Sequence, residues 1–258
     1  RLRRRAPEPR RRVWENPVTI DSNSIPFQTS AEIVQGHPAA AYMDGRTDTL
    51  RFVRAKDPGG RAWNEPIVID VTNHSGTNPS LVIVDGRPAI AYRTRTRGDL
   101  RFIRASDSNG STWEAPITVD ANCDAYWASM AIIGGLPTVA YRDFRNPRRL
   151  KWVAAQTASG ATWEAPLTVD DSGNVGRFNS LISLGNRPAI AYLDDSQKHL
   201  KFALGPVIAN PAPPRVWEPA GLALAAALVI GLATTLAIRA RARSAARLSP
   251  PGDFSRRL

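Results

Sequence analysis

Between residues 14 and 205, apolar positions come in short runs whose neighbours alternate between apolar and polar, as in SLVIV, PAIAY, LRFIRA and TWEAPITVD. Alternation with a period of two is the pattern of strands with one face inward. The runs are rich in β-branched and aromatic residues, and Gly, Asp, Asn and Ser break them at intervals of about 8–12 residues. A helical period is absent until residue 220, where an uncharged apolar stretch begins. The pattern predicts an all-β domain followed by one apolar helix.

The runs repeat. Trp14, Trp63, Trp113 and Trp163 open the phrases WENPVTID, WNEPIVID, WEAPITVD and WEAPLTVD. A second phrase ends at Tyr42, Tyr92, Tyr141 and Tyr192, within GHPAAAY, GRPAIAY, GLPTVAY and NRPAIAY. A third starts at Leu50, Leu100, Leu150 and Leu200, reading LRFVRA, LRFIRA, LKWVAA and LKFALG. Three phrases kept in step four times, about 50 residues apart, define a repeat unit of four short strands. Such a unit cannot bury both of its faces alone, so the units must stack, and four strands per unit is the sequence signature of a β-propeller blade.

The fourth unit stops at Gly205, before its own W-x-x-P strand, while residues 14–21 supply one such strand at the other end of the repeats. The expected fold is therefore all-β: a β-propeller of about four four-stranded blades, closed when strand 14–21 completes the last blade and removes an exposed edge. The domain organisation that follows is an Arg-rich tail over 1–13, the propeller over 14–205, a Pro-rich linker over 206–218, a transmembrane helix over 219–238 and a basic tail over 239–258. Arg5-Ala6 precedes Trp14 by the same distance as Arg54-Ala55 precedes Trp63, so the tail also reads as a decayed third strand of a further, truncated blade.

Charge narrows the function classes. The net charge of +11 invites a nucleic-acid partner. However, residues 1–13 hold seven Arg against one Glu, residues 206–258 hold seven Arg against two acids, and residues 14–205 balance at 20 of each sign. The folded part is neutral, so no nucleic-acid partner is expected. One cysteine and three scattered histidines exclude a disulfide framework and give no metal-ligand spacing, so neither a metal nor a cofactor is expected. Cys123, in a loop, reads as a free thiol or an intermolecular link.

The turns before the tryptophans, AKDPGGRAW, ASDSNGSTW and AQTASGATW, resemble the Asp box of BNR-repeat, sialidase-like propellers. Gly60, Gly110 and Gly160, Thr112 and Thr162, and the tryptophans match its pattern. Pro58, Ser108 and Ala158 stand at its Asp position, with Asp57 and Asp107 displaced by one. The whole unit is also similar to repeats of bacterial surface proteins. The resemblance implies a propeller whose Asp boxes are folding elements remote from the binding face. It implies too that a sialidase would need an arginine cluster with a Tyr/Glu nucleophile pair at the channel mouth.

Residues 219–238 carry no charge and reach about 30 Å as a helix, enough to cross a bilayer. Arg239, Arg241, Arg243 and Arg247 follow at once, which predicts a cytoplasmic C-terminus and an extracytoplasmic propeller, with Trp217 at the outer interface. Val216-Trp217-Glu218-Pro219-Ala220-Gly221 before the apolar run resembles a PEP-CTERM sorting tail, which implies that an exosortase-like enzyme removes the anchor. A signal peptide would be required upstream, and the Arg-rich start offers no apolar run for one.

Ligands of propellers are expected on the face where the fourth-to-first and second-to-third strand loops emerge. The residues there are Phe27, His74, Tyr126, Trp127, Arg177 and Phe178, with Asp44, Asp143 and Asp194. Aromatics beside carboxylates suit a sugar, whose apolar faces stack and whose hydroxyls take hydrogen bonds. The recurrence of Asp in three blades also suits turn geometry. Ser30, Ser80, Ser129 and Ser180 recur in every unit, which predicts a structural hydrogen bond. Glu32 is the weak candidate for an acid or base; it replaces Val82, Ala131 and Ile182 of the sister units but has no visible carboxylate partner of the kind glycoside cleavage pairs. The expected function is a membrane-tethered, non-catalytic bacterial propeller that binds glycan or a surface protein; the alternative is a sialidase-like or other glycoside hydrolase.

Overall fold

The computed structural model describes residues 14–72 and 74–209. They form fifteen antiparallel strands in four sheets, each an up-and-down meander. Sheet one holds β1 (Pro26–Val34), β2 (His37–Asp44), β3 (Thr49–Arg54) and β4 (Ile67–Asp70). Sheet two holds β5 (Ser75–Val84), β6 (Arg87–Thr94), β7 (Leu100–Arg104) and β8 (Ile117–Asp120). Sheet three holds β9 (Ala125–Ile133), β10 (Leu136–Asp143), β11 (Arg149–Ala154) and β12 (Leu167–Asp170). Sheet four holds β13 (Arg177–Leu184), β14 (Arg187–Asp194) and β15 (His199–Leu204).

Each repeated phrase does one job in these sheets. PAIAY and its relatives form the second strand, buried on both faces. The turn before each Trp is closed by Asp57 or Asp107, whose carboxylates accept backbone N–H groups of Gly59, Arg61 and Ala62 or of Asn109, Gly110, Ser111 and Thr112. In the third turn Thr157 takes over, its hydroxyl accepting from Ala161. The tryptophans then pair with the end of the third strand, Trp63 with Ala55, Trp113 with Ala105 and Trp163 with Ala155, and each indole N–H donates to the turn glycine's carbonyl at 2.8–3.0 Å. The displaced aspartates thus close their turns by accepting backbone N–H groups.

The core lies at the seams between sheets. Val34, Leu50 and Phe52 of sheet one pack on Leu81, Ile90 and Tyr92 of sheet two. Leu100 and Phe102 meet Met130, Val139 and Tyr141, and Leu150 and Trp152 meet Leu181, Ile190 and Tyr192. Two polar contacts and one aromatic contact recur at these seams. The Ser Oγ of each first strand accepts the N–H of the residue after the next blade's Ser: Ser30 from Leu81, Ser80 from Met130 and Ser129 from Leu181, each at 3.0 Å. The Tyr hydroxyl of each blade donates to the Asp that ends the preceding outer strand: Tyr92 to Asp70 and Tyr141 to Asp120 at 2.5 Å, and Tyr192 to Asp170 at 2.7 Å. Finally Trp113 stands edge-on to Phe52 and Trp163 to Phe102, with ring centroids 5.2 Å apart.

The expected closure is not formed. Residues 14–21 lie in no sheet, and sheet four has three strands. Asp21 accepts the Tyr42 hydroxyl at 2.5 Å, so this segment sits beside sheet one in the place of a preceding blade's outer strand and cannot complete sheet four there. No described strand of sheet four pairs with a strand of sheet one. The span predicted over 219–238 lies outside the described residues; within them, no helix is long and apolar enough to cross a membrane.

Candidate ligand-binding face

Every first strand is kinked at one place. Two residues before the seam serine the pairing register slips, and the residue there takes a left-handed backbone: Gln28 at φ 47°, Asn78 at 52°, Trp127 at 53° and Phe178 at 50°. Asn accepts this conformation readily, but for a bulky side chain it costs about 1–2 kcal/mol. A bulge re-aims the side chain it carries, and here it turns two large aromatics to one place.

Trp127 of sheet three stands edge-on to Phe178 of sheet four at 5.2 Å, and Tyr126 lies 5.6 Å from Trp127. Phe144, on the loop after β10, closes the group 5.3 Å from Tyr126. Four guanidinium groups face these rings: Arg93 over Tyr126 at 4.4 Å, Arg148 over Phe144 at 4.3 Å, Arg177 over Phe178 at 4.6 Å, and Arg142 over Phe144 at 5.0 Å and Trp127 at 5.4 Å. All lie within the range of a cation–π attraction.

The charges do not balance. Arg93 is neutralised by Asp124, whose Oδ1 accepts from Nε at 2.8 Å and Nη2 at 2.5 Å. Arg142 and Arg177 share one carboxylate, Asp195, at 3.6 Å and 3.5 Å, and among the described residues Arg148 has no carboxylate within ion-pair distance. The buried Arg142 also donates to the side-chain carbonyl of Asn174. Burial, and then the neighbouring charges of Arg148 and Arg177, hold its pKa below the ordinary arginine value against the opposite pull of Asp195. Arginine stays charged regardless, so three like charges are held together at the surface of an aromatic cluster.

Of the residues proposed from sequence, the structure brings together Tyr126, Trp127, Arg177 and Phe178. Phe27 lies on the far flank and lines a hollow of about 220 Å³ with Gln28, Met43, Thr77 and Arg95. His74 is exposed and bonds Asp48 at 2.8 Å, which also takes Arg95. Asp44, Asp143 and Asp194 are buried and already occupied. Asp44 accepts backbone N–H groups of Ile25 and Arg46 and pairs with Arg51; Asp143 accepts those of Asp124 and Arg145; Asp194 accepts those of Ser196 and Gln197 and pairs with Lys201. Their carboxylates set the turn after the second strand. Glu32 pairs across β1–β2 with Ala39, and its Oε1 accepts the N–H of Ile33. Among the described residues no group of three or more His, Cys, Asp or Glu could hold a metal ion.

Arg93, Arg142, Phe144 and Arg148 were not foreseen. Arg93 and Arg142 follow the repeated Tyr at the position that Met43 and Leu193 occupy in the outer two blades. Comparison of equivalent positions, rather than of phrases, reveals them. Cys123 is fully buried between sheets two and three, its thiol donating to the Asp120 carbonyl at 3.2 Å, which rules out the intermolecular link.

No known protein family matches the chain, and no curated protein matches it. Solved structures do. An uncharacterised protein of Dyadobacter fermentans superimposes with a TM-score of 0.57 at 12% identity, over 74% of this chain and 59% of that one. An exo-β-1,3-galactanase of Phanerochaete chrysosporium, solved with β-1,3-galactotriose, gives 0.50 at 11% identity, over 71% of this chain and 46% of that one. The likeness is one of fold. It makes the chain a β-propeller array, spanning about half the length of the proteins it matches.

Proposed function

We propose that the protein binds glycans that carry acidic groups, on the face built by Tyr126, Trp127, Phe144 and Phe178 with Arg142, Arg148 and Arg177. The observation that supports this reading is the excess positive charge set among the rings. Two aromatics held in a costly backbone conformation offer planes on which sugar faces stack. Three guanidiniums against one carboxylate offer the donors that a carboxylate or sulfate accepts, and an anion there relieves their mutual repulsion. In this reading the segment 219–238 holds the propeller on the outer side of a bacterial membrane, or releases it if the tail is cut.

Glycoside cleavage is the second reading, favoured by the fold shared with the exo-β-1,3-galactanase. The face itself favours binding. Asp124 and Asp195 are both engaged with arginines, and cleavage by two carboxylates needs one of them to give up a proton.

One experiment weighs both. The full chain is passed over immobilised neutral, uronate-bearing and sulfated glycans, and both retention and released sugar are recorded. Retention of acidic glycans that weakens at least about tenfold in Arg177→Gln and is lost in high salt supports the proposal. Equal retention of neutral and acidic glycans refutes the charge argument, and release of sugar moves the assignment to the second reading.

A further inference from the structure

The two ends of the blade array are halves of one seam. At equivalent positions of the third strand, Leu50, Leu100 and Leu150 are fully buried, whereas Leu200 is 82% exposed. Phe52 and Phe102 are covered to within 2% by the tryptophans of the following blade, whereas Phe202 is 61% exposed. Ser180 occupies the place of the three seam serines, but among the described residues no N–H of a following blade reaches it. Among the described residues sheet four also has no outer strand. Beside β15 a groove of about 280 Å³ runs between Trp152 of sheet three and Pro188, Ile190 and Leu204 of sheet four. Its counterparts in the inner seams are where Trp113 lies on Phe52 and Trp163 on Phe102.

The other end presents the missing parts. Residues 14–21 spell a complete W-x-x-P outer strand, Trp14 is 95% exposed, and Asp21 already accepts the Tyr42 hydroxyl as Asp70 accepts that of Tyr92. This segment and sheet one are thus placed as an outer strand and the blade that follows it would be. Ala31, exposed on β1, is the residue after Ser30, whose N–H the seam pattern assigns to a preceding Ser.

We infer that copies of this chain associate head to tail, the Trp14–Asp21 strand of one copy adding to β15 of another. The inner seams fix the register: Leu50 with Asp70, Phe52 with Ile67 and Ala55 with Trp63 become Leu200 with Asp21, Phe202 with Val18 and Gly205 with Trp14. Trp14 of the second copy fills the groove on Trp152, its Ala31 N–H meets Ser180, and its sheet one covers Leu200 and Phe202. A second copy docks without moving any seam already formed. The contact is heterologous, joining different surfaces of the two copies, and so produces rings or longer assemblies.

Cysteine cross-linking on the full chain tests this, since directly paired residues of antiparallel strands lie within disulfide reach and Cys123 is buried. Val18→Cys and Phe202→Cys are made in separate chains, mixed and oxidised, and the double variant is oxidised alone. A covalent dimer from the mixture is expected, as is a mass of at least two chains by light scattering for the unaltered protein. Trp14→Ala, which alters an exposed side chain, is expected to weaken association about 30-fold while leaving the circular dichroism of the chain unchanged. A cross-link that forms only within single chains of the double variant would overturn the inference in favour of self-closure. A single-chain mass with no cross-link would overturn it as well.

Discussion

Trp127 and Phe178 hold a backbone conformation that their side chains disfavour, at positions where the same chain places Gln28 and Asn78 in sister blades. Strain of this kind persists where a side chain is required for something other than the fold. Trp127→Asn, which copies the Asn78 solution, is therefore expected to change unfolding free energy by no more than about 1 kcal/mol, because relief of strain offsets lost ring contacts. Glycan retention is expected to fall at least about tenfold, and urea titration beside a binding isotherm checks both halves. Asp107 shows the opposite case, a residue needed for the turn alone. Burial raises its pKa, but hydrogen bonds from the Ser111 and Thr112 side chains and the turn backbone outweigh that and hold it well below the usual carboxylate range. Asp107→Ala should cost about 1–3 kcal/mol in urea unfolding without affecting retention of any glycan.

The sheets are joined to one another at their seams. The Tyr–Asp contact recurs at each, and burial, followed by the charge of the carboxylate and the hydrogen bond to it, raises the phenol pKa of Tyr92, Tyr141 and Tyr192. Its partner Asp170 is pushed up by burial but held at about 2 by Tyr192, Ser172 and Lys201. The folded chain therefore binds this proton less tightly than the unfolded one, where an aspartate titrates near 3.8. Its contribution is fully present above that pH and is lost as the pH falls through about 2. An acid titration followed by tryptophan fluorescence should show this loss flattened in Tyr192→Phe. Ser80→Ala should cost about 1–3 kcal/mol by leaving the Met130 N–H without its acceptor, while Ser180→Ala should change the stability of a single chain by less than about 0.5 kcal/mol. Much of this was legible in the sequence, because each phrase repeats for a physical reason: the recurring Ser, Tyr and Asp make one contact at each seam, and Trp makes one at the first two. The ligand-facing group was legible only in part. Tyr126, Trp127, Arg177 and Phe178 stand out as loop aromatics and a loop charge, but Arg93 and Arg142 sit inside second strands, where alternation predicts only a strand end. The aspartates misled because turn-forming and ligand-facing carboxylates look alike until their hydrogen bonds are seen.

Across the whole molecule, stability is a sum over blades and seams, as in other repeat arrays. The number of strands per unit follows from local pattern, but closure depends on the angle at each seam, which no single phrase encodes. Residues 14–21, expected as the outer strand of the last blade, instead lie beside sheet one in no sheet and leave β15 open. The innermost seam offers a way to watch such an array breathe. Cys123 is enclosed between sheets two and three, and burial, then the charge of Asp120, raises its thiol pKa well above the ordinary value. Alkylation by a small reagent must wait for that seam to part, so the labelling rate of Cys123 is a clock for its opening. A rate that quickens in Tyr141→Phe, yet is unchanged by Tyr42→Phe, would mean that each joint of the array opens on its own schedule.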